Sequence, residues 1–172
     1  MRRGALLLVG VVLLTGCASV FPEEKLAGVD RSVTLGVLRS DPDRFRQARV
    51  LLGGEIVQTR PRTGSTEIEV LSRPLGERDA PQYTDFSDGR FLLVAPDFLD
   101  PAVYAVGRRL SVVGTVTGSE ERPLGERPYR YVIVAVDQLY LWPRPVGTLY
   151  PYGPYSYPYY YDRFGRPYWP YY

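Results

Sequence analysis

The sequence predicts a mainly β domain: a small barrel of five strands with one or two short helices, followed by a tail with no core of its own. Three observations carry that prediction. Five apolar segments of strand length recur between residues 49 and 142, each bounded by Gly, Pro or charged residues. One of them, Thr66 to Ser72, sets Ile68 and Val70 against Glu67 and Glu69 with a period of two. Glycines at 53, 54 and 114 fall inside two others, where they mark bulges or bends.

The chain opens on a leader. Arg2 and Arg3 precede an apolar run from Ala5 to Leu14, 10 residues long, too short to span ~30 Å of hydrocarbon but suited to the h-region of a signal peptide. Leu14-Thr15-Gly16-Cys17 follows, and Cys17 is the only cysteine in the chain. That placement reads as a lipobox. Residues 1–16 are a signal peptide removed by cleavage beside small Gly16, and Cys17 becomes a lipidated N-terminus. Each buried methylene contributes ~0.8 kcal/mol, so the several acyl chains of such a residue hold it firmly in a bilayer. Ala18-Ser19 carries no Asp after the cysteine, the residue that tends to hold lipoproteins at the inner membrane. The expected address is the periplasmic face of the outer membrane.

Residues 17–30, with Pro22 and mixed charge, read as a lipidated tether, and 31–145 as the barrel domain. Val33 to Leu38, with Ser32 as N-cap, predicts one or two helical turns that stop at Asp41-Pro42. The first strand is Arg49 to Thr59, bent at Gly53-Gly54. The second, after a turn at Pro61 to Gly64, is Thr66 to Ser72, with its glutamates on a solvated face. The third is Gly89 to Ala95, stopped by Pro96. Asp97 to Tyr104 reads as a short helix with Pro101 at its first turn. Leu110 to Thr117 and Tyr129 to Trp142 complete the strands, and Pro143 closes the set. Three strands, a short helix and two more strands are the order of an OB-type barrel; a small open β-sandwich is the alternative.

Arg73-Pro74-Leu75-Gly76-Glu77-Arg78 recurs letter for letter as Arg122-Pro123-Leu124-Gly125-Glu126-Arg127. The plain reading is one turn solution used twice; the sharper one is a pair of loops whose Arg73, Arg78, Arg122 and Arg127 form one ligand rim. From 146 to the end the composition changes. Residues 147–172 hold ten of the fifteen tyrosines, among them Tyr159, Tyr160 and Tyr161, together with Trp169. Such a segment cannot build an aliphatic core and is read as a disordered tail, its aromatic rings suited to a membrane surface or to sugars.

Composition narrows the chemistry. The formal net charge of +2 includes Arg2 and Arg3, so without the leader 19 basic residues face 19 acidic ones. A nucleic-acid partner therefore has no compositional support. Histidine is absent and the single thiol is spent on lipid, which removes Ser-His and Cys-His catalysis and the familiar zinc sites. No cofactor is expected. The carboxylate pairs Glu67 with Glu69 and Asp97 with Asp100 are the remaining route to a hydrolase.

Cys17, Gly53-Gly54-Glu55-Ile56-Val57, Thr66-Glu67-Ile68-Glu69-Val70, Gly89-Arg90-Phe91, Phe98-Leu99-Asp100-Pro101 with Tyr104, Val112-Val113-Gly114-Thr115-Val116-Thr117-Gly118 and Leu139-Tyr140-Leu141-Trp142-Pro143 resemble, in that order, the Slp family of starvation-inducible outer-membrane lipoproteins. The resemblance spans roughly residues 17–143. It implies a non-enzymatic envelope protein associated with starvation or stress, with a structural or binding role; the alternative, read from the residues, is a binding module for a small envelope ligand or polysaccharide through the barrel face or the Tyr-rich tail, with an envelope protein or polysaccharide as partner. The resemblance brings no catalytic residues and no cofactor. Two departures stand out: Leu51-Leu52 replaces an Arg-Trp-like pair, and the Tyr/Pro tail exceeds the family core.

Overall fold

A computed structural model describes residues 18–144 and two short strands in the tail. It forms two compact units, one ending at Trp142 and one beginning at Pro143. In the first, α1 (Glu23–Leu26) and α2 (Leu35–Ser40) precede the strands β1 (Arg49–Arg62), β2 (Ser65–Ser72), β3 (Arg90–Ala95), β4 (Arg109–Leu124) and β5 (Arg127–Leu141). In the second, β6 (Tyr160–Tyr161) pairs antiparallel with β7 (Pro167–Tyr168).

The five long strands close into a barrel in the order β1-β2-β3-β5-β4. Every neighbouring pair is antiparallel except β3 and β5, which run parallel from Phe91 opposite Val132 to Val94 opposite Ala135. Closure decides between the two architectures that segment order left open: the sheet is an OB-type barrel and not a sandwich. The bends come where the glycines predict them. A Cβ at Gly54 would strike the Leu71 carbonyl, and one at Gly114 would strike the Ala135 carbonyl, so strands cross there at a distance only glycine permits. Bulges follow at Ile56/Gln58 and beside Gly114.

Alternate residues of each strand fill the interior: Val50, Leu52 and Ile56, then Ile68 and Val70, Phe91 and Leu93, Leu110, Val112 and Val116, and Val132 and Val134. Chain segments plug both ends. Leu35 and Leu38 of α2 enter where β3 begins, and Arg39 of that helix donates to the Asp88 carbonyl at 2.7 Å. Leu99 and Tyr104 enter where β3 finishes, held by Thr66, whose hydroxyl donates to the Asp97 carbonyl and accepts from the Leu99 amide.

Three local expectations change. The cap of α2 is Thr34, which accepts from the Val37 amide, because Ser32 is already turned back onto Asp30. Asp97 to Tyr104 is not a helix. The amides of Val103 and Tyr104 both reach the Asp100 carbonyl, giving a single turn, and one turn without propagation lacks the bonds that offset its nucleation. The hexapeptide copies do not share a conformation. Gly125 is the left-handed tip of the β4–β5 hairpin at φ 64°, whereas Gly76 has φ −110° and leads into a 3₁₀ turn at Glu77–Asp79.

Residues 18–30, read as part of a tether, lie on the barrel. Phe21 is buried with Leu51 and Val113 on the outer face of β1 and β4, and Val20, Leu26, Val29, Leu75 and Tyr140 surround that trio. Val29 adds a parallel bridge to Arg49.

Candidate functional site

The outer face of β2 and β3 is where OB-type barrels bind oligonucleotides and oligosaccharides, flanked by the β1–β2 and β4–β5 loops. In this chain β2 places Glu67 and Glu69 there, as the period of two requires, while Ile68 and Val70 point inward. The alternation is as expected, but the face is not solvated. Glu67 is 8% exposed and Glu69 6%.

Arginines roof them. Arg122, on the far arm of β4, donates from both terminal nitrogens to the two oxygens of Glu67 at 2.8 Å each, and to Glu120 at 2.9 Å. Arg60 lies opposite Glu67 on β1 and donates to it at 3.1 Å, with Arg62 at 3.5 Å. Glu69 accepts from Arg90 at 2.7 Å and from the Tyr131 hydroxyl at 3.2 Å. Bidentate pairing of this kind is the strong form of the carboxylate–guanidinium bond. The Arg122 hydrogen bonds, opposed by burial and helped by Arg60 and Arg62, hold the Glu67 carboxyl down at about 2. Arg122 is correspondingly raised by Glu67 and then Glu120. Burial, and then the Glu69 charge, raise the Tyr131 phenol.

This arrangement bears on two chemistries. A carboxylate pair doing glycosidase work needs oxygens open to a substrate, whereas Glu67 and Glu69 are buried and accept hydrogen bonds from Arg60, Arg122 and Arg90. A single-strand binding surface needs a cationic groove with open aromatic platforms, yet the floor here is carboxylate and its arginines are already paired. Asp97 and Asp100 are both exposed, and Asp100 accepts from the Ala102 amide at 2.8 Å as a turn cap.

A cavity of about 330 Å³ opens on another side, bounded by α2, the middle of β1 and the β2–β3 connection. Arg31, Thr34, Leu52, Arg73, Leu75, Asp79 and Phe86 are among its lining residues. Asp79 stands at its edge with φ 64°, beside Arg78 with φ 57°, two successive non-glycine residues in the left-handed region. It is 5% exposed. Its carboxylate accepts from Arg31 at 2.6 Å and from the Ser19 hydroxyl, and its carbonyl accepts from Ser111 at 2.6 Å. Ser111 in turn accepts from the Trp142 indole at 2.8 Å. Burial by itself would raise Asp79, but the hydrogen bonds from Arg31 and Ser19 and the Arg31 charge outweigh it and hold the group below its usual value. Sequence reasoning missed this residue. Its one trace is that Asp79 follows the first hexapeptide copy where Pro128 follows the second.

The four arginines of the repeat fall into two places. Arg73 donates to the Phe86 carbonyl at 3.2 Å and faces Glu55 at 3.7 Å; the Arg78 carbonyl accepts from the Val20 amide at 3.2 Å. Arg122 belongs to the glutamate lattice, and Arg127 is exposed at the start of β5. Arg73 follows the last residue of β2 and Arg122 holds a residue near its start, so most of a strand, about 17 Å, separates the two copies. Tyr160 and Tyr161 form β6; Cys17, Tyr159 and Trp169 lie outside the described residues.

The family model described as "Outer membrane lipoprotein Slp family" matches residues 14–172. The chain belongs to the Slp family of outer membrane lipoproteins. The match reaches the last residue, so the Tyr/Pro tail lies inside the family pattern and not beyond it, a correction to the extent read from motifs alone. An uncharacterized lipoprotein of Escherichia coli, YeaY, is 26% identical over 90% of this chain and 83% of its own length. Outer membrane protein Slp of the same organism is 25% identical over 83% and 76%. Among solved structures, the Saccharomyces cerevisiae mitochondrial single-stranded DNA-binding protein Rim1 is 10% identical, covering 55% of this chain and 94% of its own, with a TM-score of 0.35. A small single-stranded DNA-binding protein from Streptomyces coelicolor is 11% identical over the same shares, also at 0.35. Likeness that weak carries no weight; strand order and closure identify the barrel here.

Proposed function

We propose that this chain is a non-enzymatic envelope lipoprotein, anchored through Cys17 at the outer membrane, whose barrel has a structural or binding role under starvation or stress. One observation supports it above the rest. Ser19 and Val20, the second and third residues after Cys17, are bonded to Asp79 and the Arg78 carbonyl, so the anchor leads directly into the folded domain. A protein built to reach far into the periplasm would place slack at that point. The burial of Glu67 and Glu69 under arginines that occupy them supports the absence of carboxylate hydrolysis.

Globomycin, which blocks lipoprotein signal peptidase, is expected to make an unprocessed precursor accumulate; normal processing in its presence sinks the anchor reading. Partners are sought by crosslinking envelopes from cells carrying the full chain or a form cut after Pro145. Identical partners from both would remove the aromatic tail as the contact surface.

The cavity beside Asp79 favours a second reading, a binding module for a small envelope ligand. Arg73 lines it together with apolar Val33, Leu35 and Phe86, beside Asp88 and an Arg31 already held by Asp79, which suits a small amphipathic ligand whose polar end meets Arg73. A rise in melting temperature with short fatty acids that vanishes in Arg73→Ala would support this reading; no shift in either protein would dismiss it.

A further inference from the structure

We propose that the face of the barrel around Ser19, carried by the β2–β3 connection and bearing Tyr83 and Phe86, lies against the phospholipid headgroups of the leaflet that holds the lipid at Cys17. The inference rests on the anchor reading and adds an orientation to it. Chain length sets the constraint. Only Ala18 separates Cys17 from Ser19, two residue steps with a reach of about 7 Å at full extension, comparable with the depth of one headgroup layer. Ser19 is in turn fixed to Asp79 inside the connection, so that connection cannot stand far from the membrane surface.

The connection carries the side chains such a surface receives. Tyr83 is 71% exposed and Phe86 61%. Phe86 lines the same cavity as Asp79 and Arg31, which places it beside the residue that holds Ser19. The Tyr83 ring is stacked under the Arg109 guanidinium at 3.8 Å, and an aromatic ring with a polar tip and a cation above it partitions to the boundary between headgroups and acyl chains. Arg31 and Arg78 on this face are offset by Glu77 and Asp85, all four exposed. The attraction is therefore aromatic and enforced by proximity, not polybasic, and it is expected to persist in high salt. The other exposed apolar side chains of the β-strand connections, Phe98, Val103 and Val106, leave β3 at its opposite end, about 20 Å of strand away.

Because acylation uses the only thiol, a newly placed cysteine is the sole site for a fluorescent label. Lipidated full-length Tyr83→Cys, Phe86→Cys and Phe98→Cys, each labelled and reconstituted into phosphatidylethanolamine and phosphatidylglycerol vesicles, are read with nitroxide quenchers on the lipid headgroup. The labels at 83 and 86 are expected to lose most of their emission, with or without high salt, while the label at 98 keeps it. If the protein floats with vesicles and its N-terminal peptide carries the lipid mass, yet 83 and 86 are quenched no more than 98, the orientation is wrong and the anchor stands. A protein that neither floats nor carries lipid overturns the anchor and the orientation together.

Discussion

The barrel covers two stretches of its outer wall in opposite ways. Over β2 and β3 the cover is charge: Glu67 and Glu69 under Arg60, Arg90 and Arg122, with both oxygens of Glu67 and one of Glu69 hydrogen-bonded to arginine. Over β1 and β4 the cover is chain: Phe21 and its neighbours on Leu51 and Val113, with one buried aspartate as the tie. The first closes a face that barrels of this type commonly use for ligands. The second turns a stretch of sequence that looks like a linker into part of the domain.

Removing Phe21 should separate the two most clearly. Phe21→Ala empties a site that is 3% exposed and is expected to cost about 3–5 kcal/mol in denaturant unfolding, with residues 18–30 becoming the first site of proteolysis. Cleavage appearing first in the β4–β5 hairpin would reverse that assignment. Acid should act on the other face. The Glu67 carboxyl sits at about 2 when folded against 4.5 for a free glutamate, so its contribution is fully present above 4.5 and is lost as pH falls through about 2. The loss is on the order of 3 kcal/mol, and a Glu67→Gln variant should show a flatter stability profile over that window. An unchanged profile would mean the lattice contributes nothing to acid stability.

Asp79→Asn keeps the shape but removes the charge that holds Arg31 and Ser19. Because Arg31 is half exposed, the expected loss is about 1–2 kcal/mol, accompanied by faster amide exchange at Val20. The smallest effect is assigned to Arg46→Ala. It breaks a pair with Asp43 in which both side chains are mostly exposed, and less than ~0.5 kcal/mol is expected in a thermal melt.

What the sequence reveals of this fold follows the range of the interactions. Alternation in Thr66 to Ser72 and the glycines at 54 and 114 are local signals, and each marks a real face or a real crossing. The arms of the β4–β5 hairpin beyond the barrel wall, roughly 118–131, carry charged residues and prolines without apolar alternation, so their strand character comes from pairing with each other. The solvated face expected for Glu67 fails for a related reason. Its main partner, Arg122, lies 55 positions away, and no window of sequence brings them together. Asp79 is fainter still, since it acquires its role from Ser19, Arg31 and Ser111, each contributed by a different segment.

The plugs at the two ends of the barrel have a consequence of their own. With α2 stoppering one mouth and Leu99 and Tyr104 the other, around a centre packed with Phe91 and its aliphatic neighbours, the barrel has no lumen. It cannot ferry a guest inside itself, in the manner of wider β-barrels that enclose their ligands. Whatever the barrel meets in the envelope, it meets on its outer surface.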